Sequence, residues 1–226
     1  METKHGRVFL GMEWQEVFFS TWFEWMGYPV SGLEFIGSIA GLVGVYLAAK
    51  SNILTWPVGI VNVVCFFFVF YTARLYSDML LQFYYFSVSI IGWVNWNKSG
   101  EQKLKHEWIG QQWRFRLPLI TIVATLGIGY LIEHLHILFP SVLHEPADLP
   151  YLDTLIGVLS IQATFLQARK KIDCWGIWIV TDALCTGVYW KKGIHLVSLE
   201  FLLFTMLAIF GLMQWLQKHR EELAGK

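Results

Sequence analysis

The sequence predicts an all-α, polytopic membrane protein: seven transmembrane helices in a parallel 3+1+3 repeat, preceded by an N-terminal amphipathic helix. Three observations carry that expectation. Of the 226 residues, 55% are hydrophobic and only 15% are charged, where a soluble domain carries about a quarter charged residues. The apolar residues gather in several long runs, the signature of a chain that crosses a bilayer repeatedly. Finally, the stretch from Trp56 to Trp96 has a counterpart from Trp175 to Trp215, with the terminal tryptophans equally far apart in both.

Composition also excludes several classes. A formal net charge of zero, with no basic stripe interleaved with aromatics, argues against nucleic acid binding. No Gly-rich phosphate loop and no paired-Cys spacing occurs, so neither a cofactor nor a metal is expected. Cys65, Cys174 and Cys185 all fall in apolar runs, where lone cysteines pack as small hydrophobes. Glu133, His134, His136, His144 and Glu145 lie close in sequence without helical zinc spacing, and read as a solvated loop. No nucleophile–base set can be assembled, so the chain is not expected to be an enzyme.

Along the chain, residues 14–30 place Trp14, Phe18, Trp22 and Trp25 at helical spacing. Glu16 and Glu24 weigh against burial there, so an amphipathic helix lying in the interface is expected. The first span covers about 33–49 and contains Gly37, Gly41 and Gly44, a smooth face for close helix packing. The second covers 54–72, with Pro57 in its first turn, where a missing N–H does no harm. The third covers 79–96. After a polar loop (98–116) comes a fourth span at 117–132, then a proline-marked loop to 150. Spans five to seven cover 153–168, 174–190 and 195–216, and a polar tail follows. The expected units are an interfacial segment (1–31), a first triplet (32–97), a linker region (98–150), a second triplet (151–216) and the tail (217–226).

The repeat fixes the topology. Ile36-Gly37 matches Ile156-Gly157, Lys50 matches Lys170, Trp56 matches Trp175, and Gly92…Trp96 matches Gly211…Trp215. Three spans reverse the chain's side of the membrane and a fourth restores it, so both triplets enter in the same direction, as in SWEET-type transporters. Twelve of the 17 basic residues lie on one side, including Lys50, Arg169, Lys170 and Lys171. That side, with the C-terminus, is expected to be cytoplasmic.

Polar residues inside the spans are the candidate site. Gln82, Tyr85, Ser89, Gly92 and Trp96 recur at three- and four-residue steps on one face of the third span, with Trp93 and Asn95 beside it. Trp175, Trp178, Asp182 and Tyr189 form a face of the sixth span, and Asn62 occupies the matching region of the second. Amides, a carboxylate and indole rings suit a flat, polar ligand, including a cationic one. Each also has a packing role open to it. Span-end tryptophans commonly sit at headgroup level, which is the reading favoured for Trp56, Trp96, Trp175 and Trp215. Gln82 and Asn62 could equally bridge helices. An intramembrane carboxylate at Asp182 or Glu200 points to function.

These residues resemble the PnuC family of bacterial nicotinamide riboside transporters. The resemblance runs from about Gly32 to Trp215. It rests on Trp56-Pro57-Val58-Gly59 with Asn62, Leu75-Tyr76-Ser77-Asp78 with Gln82 and Tyr85, Gly92-Trp93-Val94-Asn95-Trp96, and Trp175-x-x-Trp178-x-x-x-Asp182. It implies a multi-pass protein of the bacterial inner membrane, related to the SWEET fold and assembled as a homotrimer. The implied activity is facilitated diffusion of nicotinamide riboside, trapped inside by a cytosolic riboside kinase. In that reading tryptophan faces hold the pyridinium ring, Gln82 and Asn95 pair with the carboxamide, and Asp182 or Asn62 takes ribose hydroxyls. Thiamine or riboflavin as substrate, and a SWEET-type sugar uniporter, are the alternatives. Tryptophan density argues against the sugar.

Overall fold

A computed structural model describes residues 18–25, 27–73, 76–98, 103–138 and 148–225. Apart from one short hairpin, these residues build seven long helices. The hairpin pairs β1 (Thr21–Trp25) with β2 (Tyr28–Ser31) in antiparallel register, Trp25 opposite Tyr28 and Phe23 opposite Val30. The expected amphipathic helix is therefore corrected over residues 21–31, and Trp14 and Glu16 lie outside the described residues. The cause is local. Gly27 takes a left-handed φ of 81° at the turn, and Pro29 can neither donate to a helix nor let Tyr28 enter one easily. Gly27→Ala is expected to cost about 1 kcal/mol, because an L side chain strains that conformation. A fall in melting temperature of the purified protein is the readout.

Helix α1 (Gly32–Ala49) begins at Ser31, whose hydroxyl accepts the Glu34 N–H at 3.2 Å. The Ser-x-x-Glu spacing is that of a capping box. Glu34 also accepts from the Tyr28 hydroxyl at 2.8 Å, tying the hairpin to the helix. α2 (Thr55–Thr72) packs on α1 across its glycines: a side chain at Gly37 would meet Phe66 and Cys65, and one at Gly41 would meet Asn62 and Phe204. Thr55 donates to the Gly44 carbonyl at 2.9 Å in the same seam.

α3 (Tyr76–Trp96) and α4 (Gln111–Leu138) follow. At 28 residues α4 spans about 42 Å, longer than the ~30 Å hydrocarbon core of a bilayer. It begins before the expected fourth span and continues through 133–138, where a loop was expected. Glu133, His134 and His136 thus stand on its last turns, while His144 and Glu145 lie outside the described residues. α5 (Pro150–Ala168) starts with proline in its first turn, α6 (Asp173–Lys191) follows, and α7 (His195–Ala224) completes the chain. The polar residues 217–224 continue α7 as helix to Ala224. By length and composition, α1, α2, residues 111–134 of α4, and α7 are able to cross a membrane.

The helices pack as α1–α2–α3 and α5–α6–α7, with α4 on α5. The triplets meet through α1 against α7 and α3 against α5. At one end of the bundle four indole rings form a chain. Trp56 meets Trp96 edge-on at 5.2 Å, Trp96 meets Trp215 at 5.9 Å, and Trp215 meets Trp175 edge-on at 5.4 Å. All four are core residues, between 0% and 8% exposed, where a headgroup belt was expected. What permits this is a glycine on the third helix of each triplet. A β-carbon at Gly92 would overlap the Trp56 ring, and one at Gly211 would lie 2.6 Å from three atoms of Trp175. Trp215 also donates to the Ala48 carbonyl at 3.0 Å, linking the triplets directly.

The same end holds a structure that no local pattern announces. The segment 103–110, expected as a polar loop, carries His106 into the bundle at 3% exposure. Its ring Nδ1 lies 2.9 Å from Glu222 and its Nε2 lies 2.8 Å from the Ser51 hydroxyl, while its backbone N–H donates to Glu222 at 2.8 Å. A neutral ring protonated on Nδ1 donates to the carboxylate and accepts from the serine, which satisfies both contacts. Next to it, Glu107 exchanges backbone hydrogen bonds with Lys170 and Ile172, and the Ile109 N–H donates to Asp173 at 2.7 Å. His219 bonds the His106 carbonyl, and Lys218 donates to the Lys50 carbonyl. The segment therefore ties the α1–α2 turn, the α5–α6 turn and the end of α7 together. Ser51 and Lys170, one in each turn, take left-handed φ values of 55° and 53°. Their spacing equals that of the paired tryptophans, so Lys50 corresponds to Arg169 and not, as expected, to Lys170.

Candidate functional site

Away from the tryptophan end, polar side chains enter the bundle from several helices. Asn62 on α2 donates to the Gly37 carbonyl of α1 at 2.8 Å. The gap that Gly41 leaves admits this amide, so Asn62 bridges two helices of one triplet. On α3, the Gln82 amide donates to the Asp78 carbonyl one turn earlier at 3.2 Å, and the side chain is 7% exposed. A buried amide holding only its own helix keeps further donor and acceptor capacity.

Tyr84 and Tyr85 stand side by side where α3 meets α5. Tyr84 donates to the Ile161 carbonyl at 2.8 Å, a bond that crosses from one triplet to the other, and the Tyr85 side chain lies near Ser160 of α5. Tyr85 lies within electrostatic reach of Cys185 on α6, and so does Asp182, one turn before it. The structure thus brings Tyr85 of the first triplet and Asp182 of the second around a common neighbour.

Trp178 is half-buried on α6 and donates from its indole N–H to Gln167 on α5 at 3.0 Å. That bond fixes the plane of the ring while leaving its faces to other contacts. Tyr189, two turns beyond Asp182, stacks on Phe201 of α7 with rings 5.4 Å apart and 3° from parallel. Glu200 of α7 lies near Ser38 of α1.

Three expected site residues sit elsewhere. Trp175 is 1% exposed in the tryptophan chain and serves packing. Trp93 is 42% exposed on the outward side of α3, while Gly92 beside it faces Trp56. Asn95 is half-buried near the tryptophan end of α3, one residue before Trp96. The two polar neighbours that sequence reasoning missed are Ser160, beside Tyr85, and Gln167, the partner of Trp178. Both are polar positions in an apolar run, and that signal alone could have raised them.

Comparison with known proteins follows the same outline. Residues 31–217, which include all seven helices except the end of α7, match the sequence profile of the family described as nicotinamide mononucleotide transporter. A nicotinamide riboside transporter PnuC of Escherichia coli is 28% identical over 215 residues, covering 86% of this chain and 89% of that protein. A PnuC of Neisseria mucosa is 28% identical over 199 residues, covering 83% and 73%. The riboflavin/roseoflavin transporter RibM of Streptomyces davaonensis is 23% identical over 193 residues, covering 84% and 86%. Among solved structures, the crystal structure of the vitamin B3 transporter PnuC superposes with a TM-score of 0.63 at 20% identity, covering 84% of this chain and 82% of that one. That likeness extends to the fold.

Proposed function

The chain belongs to the nicotinamide mononucleotide transporter family, and from that premise we propose that it carries nicotinamide riboside across a membrane. The observation that carries this reading is the similarity to the Escherichia coli riboside transporter along nearly the whole of both chains. The activity is transport, with no bond made or broken. In this reading all seven helices cross the bacterial inner membrane as a parallel 3+1+3 repeat, with the C-terminus in the cytoplasm. The packing supports the repeat. Exchanging α1 with α5 and α3 with α7 turns the α1–α7 contact into the α5–α3 contact, and both are present.

The substrate lies at mid-depth between the triplets, where SWEET-type transporters hold theirs. Tyr85, Gln82, Trp178 and Asp182 form the core of this proposed site, with Tyr189 and Asn62 flanking; Asn95, Trp93 and Trp175 stand outside it. Transport is passive, three copies assemble in the lipid bilayer, and a cytosolic riboside kinase traps the substrate by phosphorylation. Uptake into liposomes with and without an imposed pH gradient tests the passive part, since gradient-driven accumulation contradicts it.

Calorimetric titration of the purified protein with nicotinamide riboside, riboflavin, thiamine and glucose tests the substrate. Riboside is expected to bind. Riboflavin is the specific second reading, because the RibM relative also spans most of this chain. Tight riboflavin binding without riboside binding would replace the first reading by the second. Trp178→Ala is expected to weaken riboside binding about tenfold, through loss of stacking and cation–π attraction. Gln82→Ala should act similarly, at about 1 kcal/mol for a lost hydrogen bond. Unchanged affinity in both variants would return these side chains to packing roles.

A further inference from the structure

Asp182 stands at the midpoint of α6, nine residues from Asp173 and nine from Lys191, and is 5% exposed. Thr186 donates to its backbone carbonyl at 2.8 Å. Among the described residues, no hydrogen bond or salt bridge reaches its carboxylate. Trp178, one turn earlier on the same helix, spends its indole N–H on Gln167. Lys191, on the same helix, is about 13 Å away along the axis.

An ionised carboxylate at this depth is costly without a countercharge. Hydroxyl donors satisfy lone pairs but leave the charge itself uncompensated, whereas a cation close by compensates the charge even without a proton to donate. Trp178, one turn away on the same helix, offers a ring face of the kind that also attracts cations.

We propose that Asp182 is the countercharge for a fixed cation on the transported molecule, here the ring nitrogen of an N-ribosylated pyridinium, and that it makes the site selective for positively charged ligands. The assignment rests on the riboside reading and deepens it. It gives Asp182 the pyridinium, in place of the ribose hydroxyls that the family resemblance implies.

The test compares nicotinamide riboside with its 1,4-dihydro form, which keeps the ribose and carboxamide but is neutral. Wild-type protein is expected to bind the cation more tightly than the neutral form. Asp182→Asn should weaken cation binding about thirtyfold, the low end of what truncating one side of a buried charge pair costs. The neutral form should bind that variant about as well as wild type. Asp182→Glu, which keeps the charge, should restore part of the preference. Equal loss for both ligands overturns the proposal and makes Asp182 a hydroxyl ligand or a packing residue. Unchanged binding of both overturns it by placing Asp182 outside the site. Should Asp182→Asn not fold, equal wild-type affinity for the two forms overturns it alone. Wild-type protein that binds neither form removes the riboside reading itself, and the assignment with it.

Discussion

Gly211→Ala is expected to destabilise the protein by about 2–3 kcal/mol, even though alanine favours helix over glycine by about 1 kcal/mol. The added methyl would lie 2.6 Å from three ring atoms of Trp175. The ring has nowhere to go, being 1% exposed and set edge-on against Trp215 at 5.4 Å. Overpacking of this kind displaces side chains or backbone, because interiors are already close-packed. Melting temperature in detergent or nanodiscs reads the loss. The contacts fall on the six-membered part of the indole, so Trp175→Phe should relieve part of the clash. A double-mutant cycle then shows the pair losing less than the sum of its parts. A neutral or stabilising Gly211→Ala would mean that the third helix does not seat on that ring.

The second large effect is expected from His106→Ala, at about 2–4 kcal/mol. The substitution strands the Glu222 carboxylate and the Ser51 hydroxyl, and an abandoned partner costs more than a mean hydrogen bond contributes. Glu222 is 30% exposed at its side chain, so water recovers part of that cost. The contact also predicts a pH dependence. Burial pushes the His106 ring below its ordinary pKa. Glu222 pulls it back up, Lys170 and Lys218 push it down further, and burial prevails. A group whose folded pKa is lowered contributes stability at high pH, lost as pH falls below the unfolded value of about 6.5. Melting temperature should therefore drop between pH 7.5 and 5.5, and the drop should flatten in His106→Gln. A slope unchanged in that variant would assign the effect to other groups.

Much of the fold was legible because helices in apolar chains announce themselves by length and punctuation. Pro57 falls in the first turn of α2, Gly37, Gly41 and Gly44 mark the packing face of α1, and tryptophan spacing marks the repeat. Two kinds of feature were not legible. His106 looked like part of a charged loop, since its partners Ser51 and Glu222 are 55 and 116 residues away, and no local period records such contacts. The hairpin fitted a helical pattern equally well, until Gly27 and Pro29 are given their conformational weight.

The candidate site was only partly legible for a different reason. In a membrane helix, the lipid-facing and protein-facing sides are both apolar, so periodicity does not say which is which. Trp93 and Gly92 differ by about 100° of helical rotation, and only packing tells that the glycine is the inward one. Position within a span likewise could not separate a headgroup tryptophan from one seated over a glycine. Polar residues suffered less, because an amide or carboxylate in an apolar run has few tolerable environments. Gln82 and Asp182 entered the proposed set that way.

The seating of each tryptophan over its glycine constrains how the sequence can change over evolutionary time. Trp56 precedes Gly92 by the same interval as Trp175 precedes Gly211, and neither member is free to vary alone. A lineage that keeps the indole must keep the glycine; one that trades the indole for a smaller ring can fill the vacated space from the other helix. Across relatives the two positions should therefore substitute together, pair by pair, and the two halves of the protein should do so independently of each other.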